Sequence, residues 1–370
     1  MNVVHLPDRD LPKLREGLVA LAGAGAKSVQ LLGAVGNGWR PEELDPLIAG
    51  LDIPVFGGLF PSVIFEGRAC DSGAVLIGHR ARTSIAVVDV SDARPPAHDF
   101  SQGLEGSDTI VAYIDATCPS GPLMRALFDA RGTRTTWCGG GAGALDFVRR
   151  PVVITPGGLR AGVAVLAGLE ATTTLGVTHG WKPFGNPLLV TESRGNDILT
   201  LDWRPAFEVY REAVEQRSSR RFDESEFFDL ASRYPLMIER FGAEGVVRDP
   251  LCALDGGAIR CAGDMPQYST VRVATGTFED MISAASRARE QATAAGHRRE
   301  HGVALTIDCI SRALLLGDHL HRELQALRVH GVPQAGALTI GEVASSSDHF
   351  LQMHNKTTVL AMIDVDSQGP

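Results

Sequence analysis

Residues 336–363 place an acid (Glu342), two imidazoles (His349 and His354), an amide (Asn355), an ammonium (Lys356) and several hydroxyls between two apolar runs. Binding groups concentrate in loops carried by rigid strands. A plain hairpin needs only a few turn residues, so this polar content points to a ligand. Cys309 and Arg312 stand where a strand-like run gives way to a helix-like one, a junction where free amides and the helix dipole favour anions. An arginine grips a carboxylate through paired hydrogen bonds, and a glutamate holds an ammonium. Cys309, Arg312, Glu342, His354, Asn355 and Thr357 therefore suit an amino-acid-like or other small polar metabolite. The competing expectation is a buried network in which Arg312 and Asn355 satisfy backbone groups of the loop.

Other residue groups suggest other chemistries. In His179-Gly-Trp-Lys-Pro, Trp181 offers a flat apolar face and Lys182 a charge; the alternative is a tight turn with Trp181 as a lid on the core. Arg248-Asp249-Pro reads as an ion pair at a turn. Cys309 with His354 and Glu342 supplies the types for a nucleophile, a base and an orienting acid. That chemistry needs a thiol of lowered pKa, and a cysteine at a strand end also serves as a small buried apolar residue. Haem needs an axial ligand, for which His179, His354, His349 and His79 are available, and without Cys-x-x-Cys-His it would be held noncovalently. His319 and His321 are two apart on a predicted helix and point in different directions, so no metal site is predicted. Gly139-Gly-Gly-Ala-Gly lacks the lysine and hydroxyl of a phosphate loop.

The chain of 370 residues is 44% apolar and 21% charged, enough for two packed modules. Its net charge of −9 argues against a nucleic-acid footprint. The basic runs at 217–221 and 297–301 alternate with acids and suit solvated helix faces. Six cysteines without a Cys-x-x-Cys pair read as reduced thiols. The N-terminus lacks signal-peptide features, and no apolar run approaches the ~20 residues of a membrane span. A soluble, cytoplasmic protein is expected. Lysine is scarce: of 35 basic residues only Lys13, Lys27, Lys182 and Lys356 are lysine.

The elements that must position these groups recur. A strand, a helix, a strand, a polar loop and a strand follow one another from residue 28, from 109 and from 303, each copy about sixty residues long. Strand–helix–strand units favour parallel, right-handed connections, and the last two strands are free to pair as a hairpin. The predicted class is α/β, with mixed sheets built from these repeated units and arranged in two modules. Between the second and third copies lie a hairpin turning at Gly195-Asn196, a helix from Pro205 and four short β-like runs. A charged stretch from Glu215 to Glu224 serves as linker, giving modules 1–215 and 216–370.

Taken in order, several runs resemble the FIST family of F-box and intracellular signal-transduction proteins. The N-terminal marks are Pro54-Val-Phe-Gly-Gly, Gly180-Trp-Lys-Pro, Val190-Thr-Glu-Ser-Arg-Gly-Asn and Leu201-Asp-Trp-Arg-Pro-Ala with Val209-Tyr. The C-terminal marks are Tyr234-Pro-Leu, Val247-Arg-Asp-Pro, Cys309-Ile-Ser-Arg, Gly341-Glu and His354-Asn-Lys-Thr. The resemblance covers nearly the whole chain. It implies a bipartite sensory module that binds amino acids or related metabolites, with haem-binding, nitric-oxide-responsive members as the alternative. The two modules use up the chain, so output is expected to pass through a separate signalling partner.

Overall fold

The computed structural model describes residues 2–92, 103–224, 226–294, 302–345 and 350–364. Three runs, Ser28–Ala34, Thr109–Asp115 and Gly302–Cys309, are buried at every position. Strands covered on both faces read as continuous apolar runs in this way. Each pairs in parallel with the strand beyond its helix: Val55–Phe60, Thr136–Ala142 and Gln334–Thr339 respectively. Each also pairs antiparallel with the closing strand of its unit: Ala74–His79, Val163–Leu169 and Thr358–Asp364. The expected threefold repetition is therefore present in the strand pairing itself.

Glycines at equivalent places show how closely the copies correspond. Gly57, Gly139 and Gly336 face Leu31, Ala112 and Thr306 across the parallel pair. A Cβ there would stand 2.0, 1.9 and 1.9 Å from the carbonyl oxygens of those three partners. Only glycine lets the strands approach so nearly. Each Gly→Ala replacement is expected to cost about 1–3 kcal/mol in urea unfolding, the range for overpacking. Full tolerance at any one of the three would break the equivalence.

The structure departs from expectation in where the last strands go. The sequence suggests a polar loop after the parallel strand and a hairpin of each unit's last two strands; instead those two strands flank the first one, and the loop holds a hairpin that leaves for another sheet. Ser62–Phe65 joins Gln334–Thr339, Val153–Thr155 joins Val55–Phe60, and Glu342–Ser345 joins Thr136–Ala142. The exchange is cyclic, with each sheet receiving one hairpin and giving one away. In the third unit the expected single strand over 336–344 breaks after Thr339. Gly341 takes a φ of 81°, and this left-handed turn sends Glu342–Ser345 to a different sheet. Leading strands Asn2–Leu6, Thr83–Asp89 and Thr172–Thr178 complete three six-stranded sheets.

The sheets' inward faces meet in one core that includes Leu31, Phe60, Tyr113, Val165, Leu305 and Val359. Side chains alternate across each strand, so Ile110 and Ala112 face outward to Met124 and Leu127 of the helix Gly121–Arg131. On the third sheet, Ala304 and Leu360 meet Ala285 and Ala288 of the helix Phe278–Thr293.

Residues 182–275 form a fourth, antiparallel sheet around Lys182–Arg194 and Thr270–Thr275. The expected hairpin is there, with Arg194 opposite Asp197 and Gly195 at φ 60°. Its separate core holds Tyr210, Phe222, Leu236 and Val273, so residues on both sides of position 215 pack together. Phe222, in the stretch expected as a linker, is buried there beside Phe207 and Phe227. No helix among the described residues is long and apolar enough to cross a membrane.

Candidate functional site

A cavity of about 1030 Å³ opens where the second and third units face the inserted sheet. Its walls include Asp115, Thr117 and Ser120 from one strand-to-helix junction, and Cys309 and Ser311 from the equivalent one. Ile340, Gly341 and Asn355 come from the third unit's polar loop, and Asn196, Asp249 and Asp264 from the inserted sheet. Ligands in α/β sheets collect outside the carboxyl ends of parallel strands, and two such ends meet here. The first unit's junction is filled instead: Asn37 exchanges hydrogen bonds of 2.8 and 2.7 Å with the Gly73 backbone.

The walls are held by specific contacts. Asp115 accepts from the Thr117 amide (3.0 Å), the Thr117 hydroxyl (2.6 Å) and the Gly162 amide (2.7 Å), fixing the turn. Asp264 docks its carboxylate against the start of the helix Gly121–Arg131, where a Cβ on Gly121 would fall 1.7 Å from it. A carboxylate suits a helix N-terminus, and Arg125 completes the contact at 3.4 Å. This joins the inserted sheet to the second unit across the cavity.

Arg312 lies outside the cavity walls and is fully buried. Its Nε donates to Glu323 at 2.9 Å and its Nη2 to the same carboxylate. Nη1 donates to the carbonyls of His179 (2.5 Å) and Lys356 (3.1 Å), and Nη2 to that of Met281 (3.2 Å). Asp308 stands 3.5 Å away. The competing expectation of a buried network describes Arg312, whose donors are spent on the protein.

Glu342 is likewise enclosed. Thr339 Oγ1 donates to one carboxyl oxygen and the Thr357 amide to the other, both at 3.3 Å. Burial pushes this carboxyl well above the usual carboxylate range, and the Cys309 thiol lies 3.2 Å from the Ser311 hydroxyl. The Thr357 hydroxyl donates to the Asn355 carbonyl at 2.9 Å. Of the residues singled out in sequence, Cys309 and Asn355 line the cavity, while Arg312, Glu342, His354 and Thr357 stand behind its wall.

Two residues escaped the sequence reading as site residues. Asp249, 2% exposed, lines the cavity and pairs at 3.1 Å with the Nζ of Lys356, which is fully buried. Arg248 does not pair with Asp249, because neighbours along extended chain point to opposite faces. It donates instead to the carbonyls of Asp264 (2.8 Å), Val247 (3.0 Å) and Met353 (3.1 Å). Burial pushes the Asp249 carboxyl up, and the Lys356 charge partly offsets this. Lys356 takes a left-handed φ of 51°, held by Arg312 and by Trp181 Nε1 donating to its carbonyl (3.3 Å). Its place in the polar stretch and the scarcity of lysine were the signals that pointed to it.

The sequence comparison falls on the same elements. The FIST N domain matches residues 48–204 and the FIST C domain residues 206–345. The chain belongs to the FIST family. FIST domains are associated with small-ligand-binding signal transduction. Among curated proteins, no relative matches the chain.

Haem, held by some FIST proteins according to the resemblance, does not fit His79, His179 or His354. His179 accepts the Trp181 amide at Nδ1 (2.9 Å), and its Nε2 lies 3.2 Å from the Gly245 carbonyl, so both nitrogens are engaged. His79 is buried with Nε2 on Gln30 (2.9 Å). The His354 Nε2 has no partner among the described residues, but none of the three lines the cavity. Burial lowers all three to about 3. His349 and the basic run 297–301 lie outside the described residues.

In the second patch, Trp181 is buried and Lys182 is exposed on the opposite face, paired with Asp280 at 2.5 Å. Trp181 packs under Lys356, whose Nζ is 5.4 Å from the ring centroid. The patch therefore supports the polar loop from beneath. Among the described residues no cluster of three or more His, Cys, Asp or Glu side chains has the arrangement of a metal site.

Proposed function

We propose that this FIST protein is a cytoplasmic sensory module that binds a small metabolite in the cavity between its second and third units and the inserted sheet. A separate signalling protein reads the result. The observation that carries this reading is the convergence of two carboxyl strand ends with a sheet fastened across them by Asp264. A ligand there touches both bodies and biases how they sit together, which gives binding a structural output. Pockets of this size, mostly apolar with a few polar groups, are the usual form of small-molecule sites.

Binding is favoured over thiol catalysis by the state of the groups. Burial and the Glu342 charge push the Cys309 thiol up to about 12, and burial holds His354 near 3. A thiolate–imidazolium pair requires both shifts in the other direction. An amino-acid ligand would need a clamp that Arg312 and Glu342 do not present to the cavity.

Ser311→Trp is the test, because Ser311 is half-buried and lines the cavity. Calorimetric screening of a metabolite panel is expected to find ligands whose affinity falls at least about tenfold in this variant. Ligands that bind Ser311→Trp as they bind the parent protein would place the site elsewhere.

A further inference from the structure

Resting on that cavity reading, we infer that the ligand is an amphiphile: an extended apolar body with an uncharged head group that donates a hydrogen bond to Asp249. Four observations meet in this assignment. Asp249 Oδ1 is buried and has no partner among the described residues, and Asp249 lines the cavity. An acceptor left so costs free energy until a donor reaches it.

The lining charges are matched except that of Asp115, which the Thr117 and Gly162 hydrogen bonds hold at its turn. Asp249 is balanced by Lys356, Arg125 pairs with Asp264, and Arg260 grips Asp197 through two bonds of 2.8 Å. A carboxylate or an ammonium brought to the floor would be a third charge without a counter-ion, in a setting where desolvation is costly. An uncharged N–H or O–H meets the free oxygen without that cost.

The mouth is apolar. Leu145, Phe147, Phe228 and Leu314 line the cavity from three separate segments and remain 37–57% exposed. Large apolar side chains gathered at one opening mark a site for apolar surface. Size agrees: 1030 Å³ holds roughly thirty waters at ~30 Å³ each. That leaves room for an apolar chain reaching from floor to mouth.

Octanamide, octanoate, octylammonium and leucine separate these features, measured by calorimetry on the full chain and on Ser311→Trp. Octanamide is expected to bind at least about tenfold more tightly than each of the other three, and to lose that affinity in Ser311→Trp. Phe147→Ser should weaken octanamide while leaving leucine unchanged. In Asp249→Leu/Lys356→Met, which removes the acceptor together with its counter-ion, octanamide should bind at least about tenfold more weakly. Equal or tighter binding of octanoate, octylammonium or leucine overturns the inference, as does no binding of octanamide at millimolar concentration. Should octanamide bind Ser311→Trp unchanged, the cavity reading itself fails. Should leucine or octanoate win yet be lost in Ser311→Trp, the cavity stands and the amphiphile does not.

Discussion

Arg312→Met should destabilise the protein by about 3–5 kcal/mol, the range for removing one partner of a buried ion pair. Glu323 and Asp308 are both fully buried beside the guanidinium. Burial pushes both carboxyls up even in its presence. Without Arg312 they are left with no cation, and the carbonyls of His179, Met281 and Lys356 lose a donor. Arg312→Lys will not rescue this, since a point ammonium cannot replace a planar fork serving several acceptors. Arg312→Met/Glu323→Leu removes the uncompensated charge and should recover most of the loss, as replacing whole buried pairs often does. Denaturant unfolding followed by circular dichroism measures each variant. If Arg312→Met alone fails to fold, a folded double variant still makes the case. A single-variant loss below about 1 kcal/mol would mean that the guanidinium does not balance these acids.

Breaking the Lys356–Asp249 pair should show the same asymmetry, with a signature in pH. Lys356→Met is expected to cost about 3–5 kcal/mol at pH 7. Asp249, already pushed up by burial, then loses the charge that offsets it. A carboxyl whose folded pKa lies above its unfolded value near 3.8 favours the folded state fully below that value. The contribution is lost as pH rises through the folded pKa. The stability gap between Lys356→Met and the parent should therefore narrow from pH 8 to pH 5. Asp249→Asn strands the lysine instead, and Asp249→Asn/Lys356→Met should be more stable than either single variant. A gap that widens toward pH 5 would show that the pair is not what Lys356 provides.

Much of the architecture could be read from the chain. Continuous apolar runs at 28–34, 109–115 and 303–309 announced central strands, and the hydrophobic rhythm between them announced repeats. The exchange of hairpins was not legible. The apolar run Val63–Phe65 suits burial, but nothing local says that the partner is Gln334–Thr339, most of the chain away. The break in the third unit's strand after Thr339 depended on Gly341, one glycine among 41. At the site, Cys309 and Asn355, singled out by residue type, lie on the cavity wall. Charged side chains were harder, because an arginine suited to a ligand carboxylate is equally suited to Glu323. Asp249 looked matched to its neighbour Arg248, while its true partner lay in a loop that only folding brings near.

The ring of exchanged hairpins also bears on what happens when the chain is divided. A fragment ending near residue 205 would leave Ser62–Phe65, Thr136–Ala142 and Thr172–Thr178 without Gln334–Thr339, Glu342–Ser345 and Thr358–Asp364. Three bare strand edges would face water at once, the template from which chains aggregate. During synthesis those edges stay open until the last strands leave the ribosome. The final hundred residues thus act as the closure for strands made long before them, and the newborn first half is the form most in need of a chaperone.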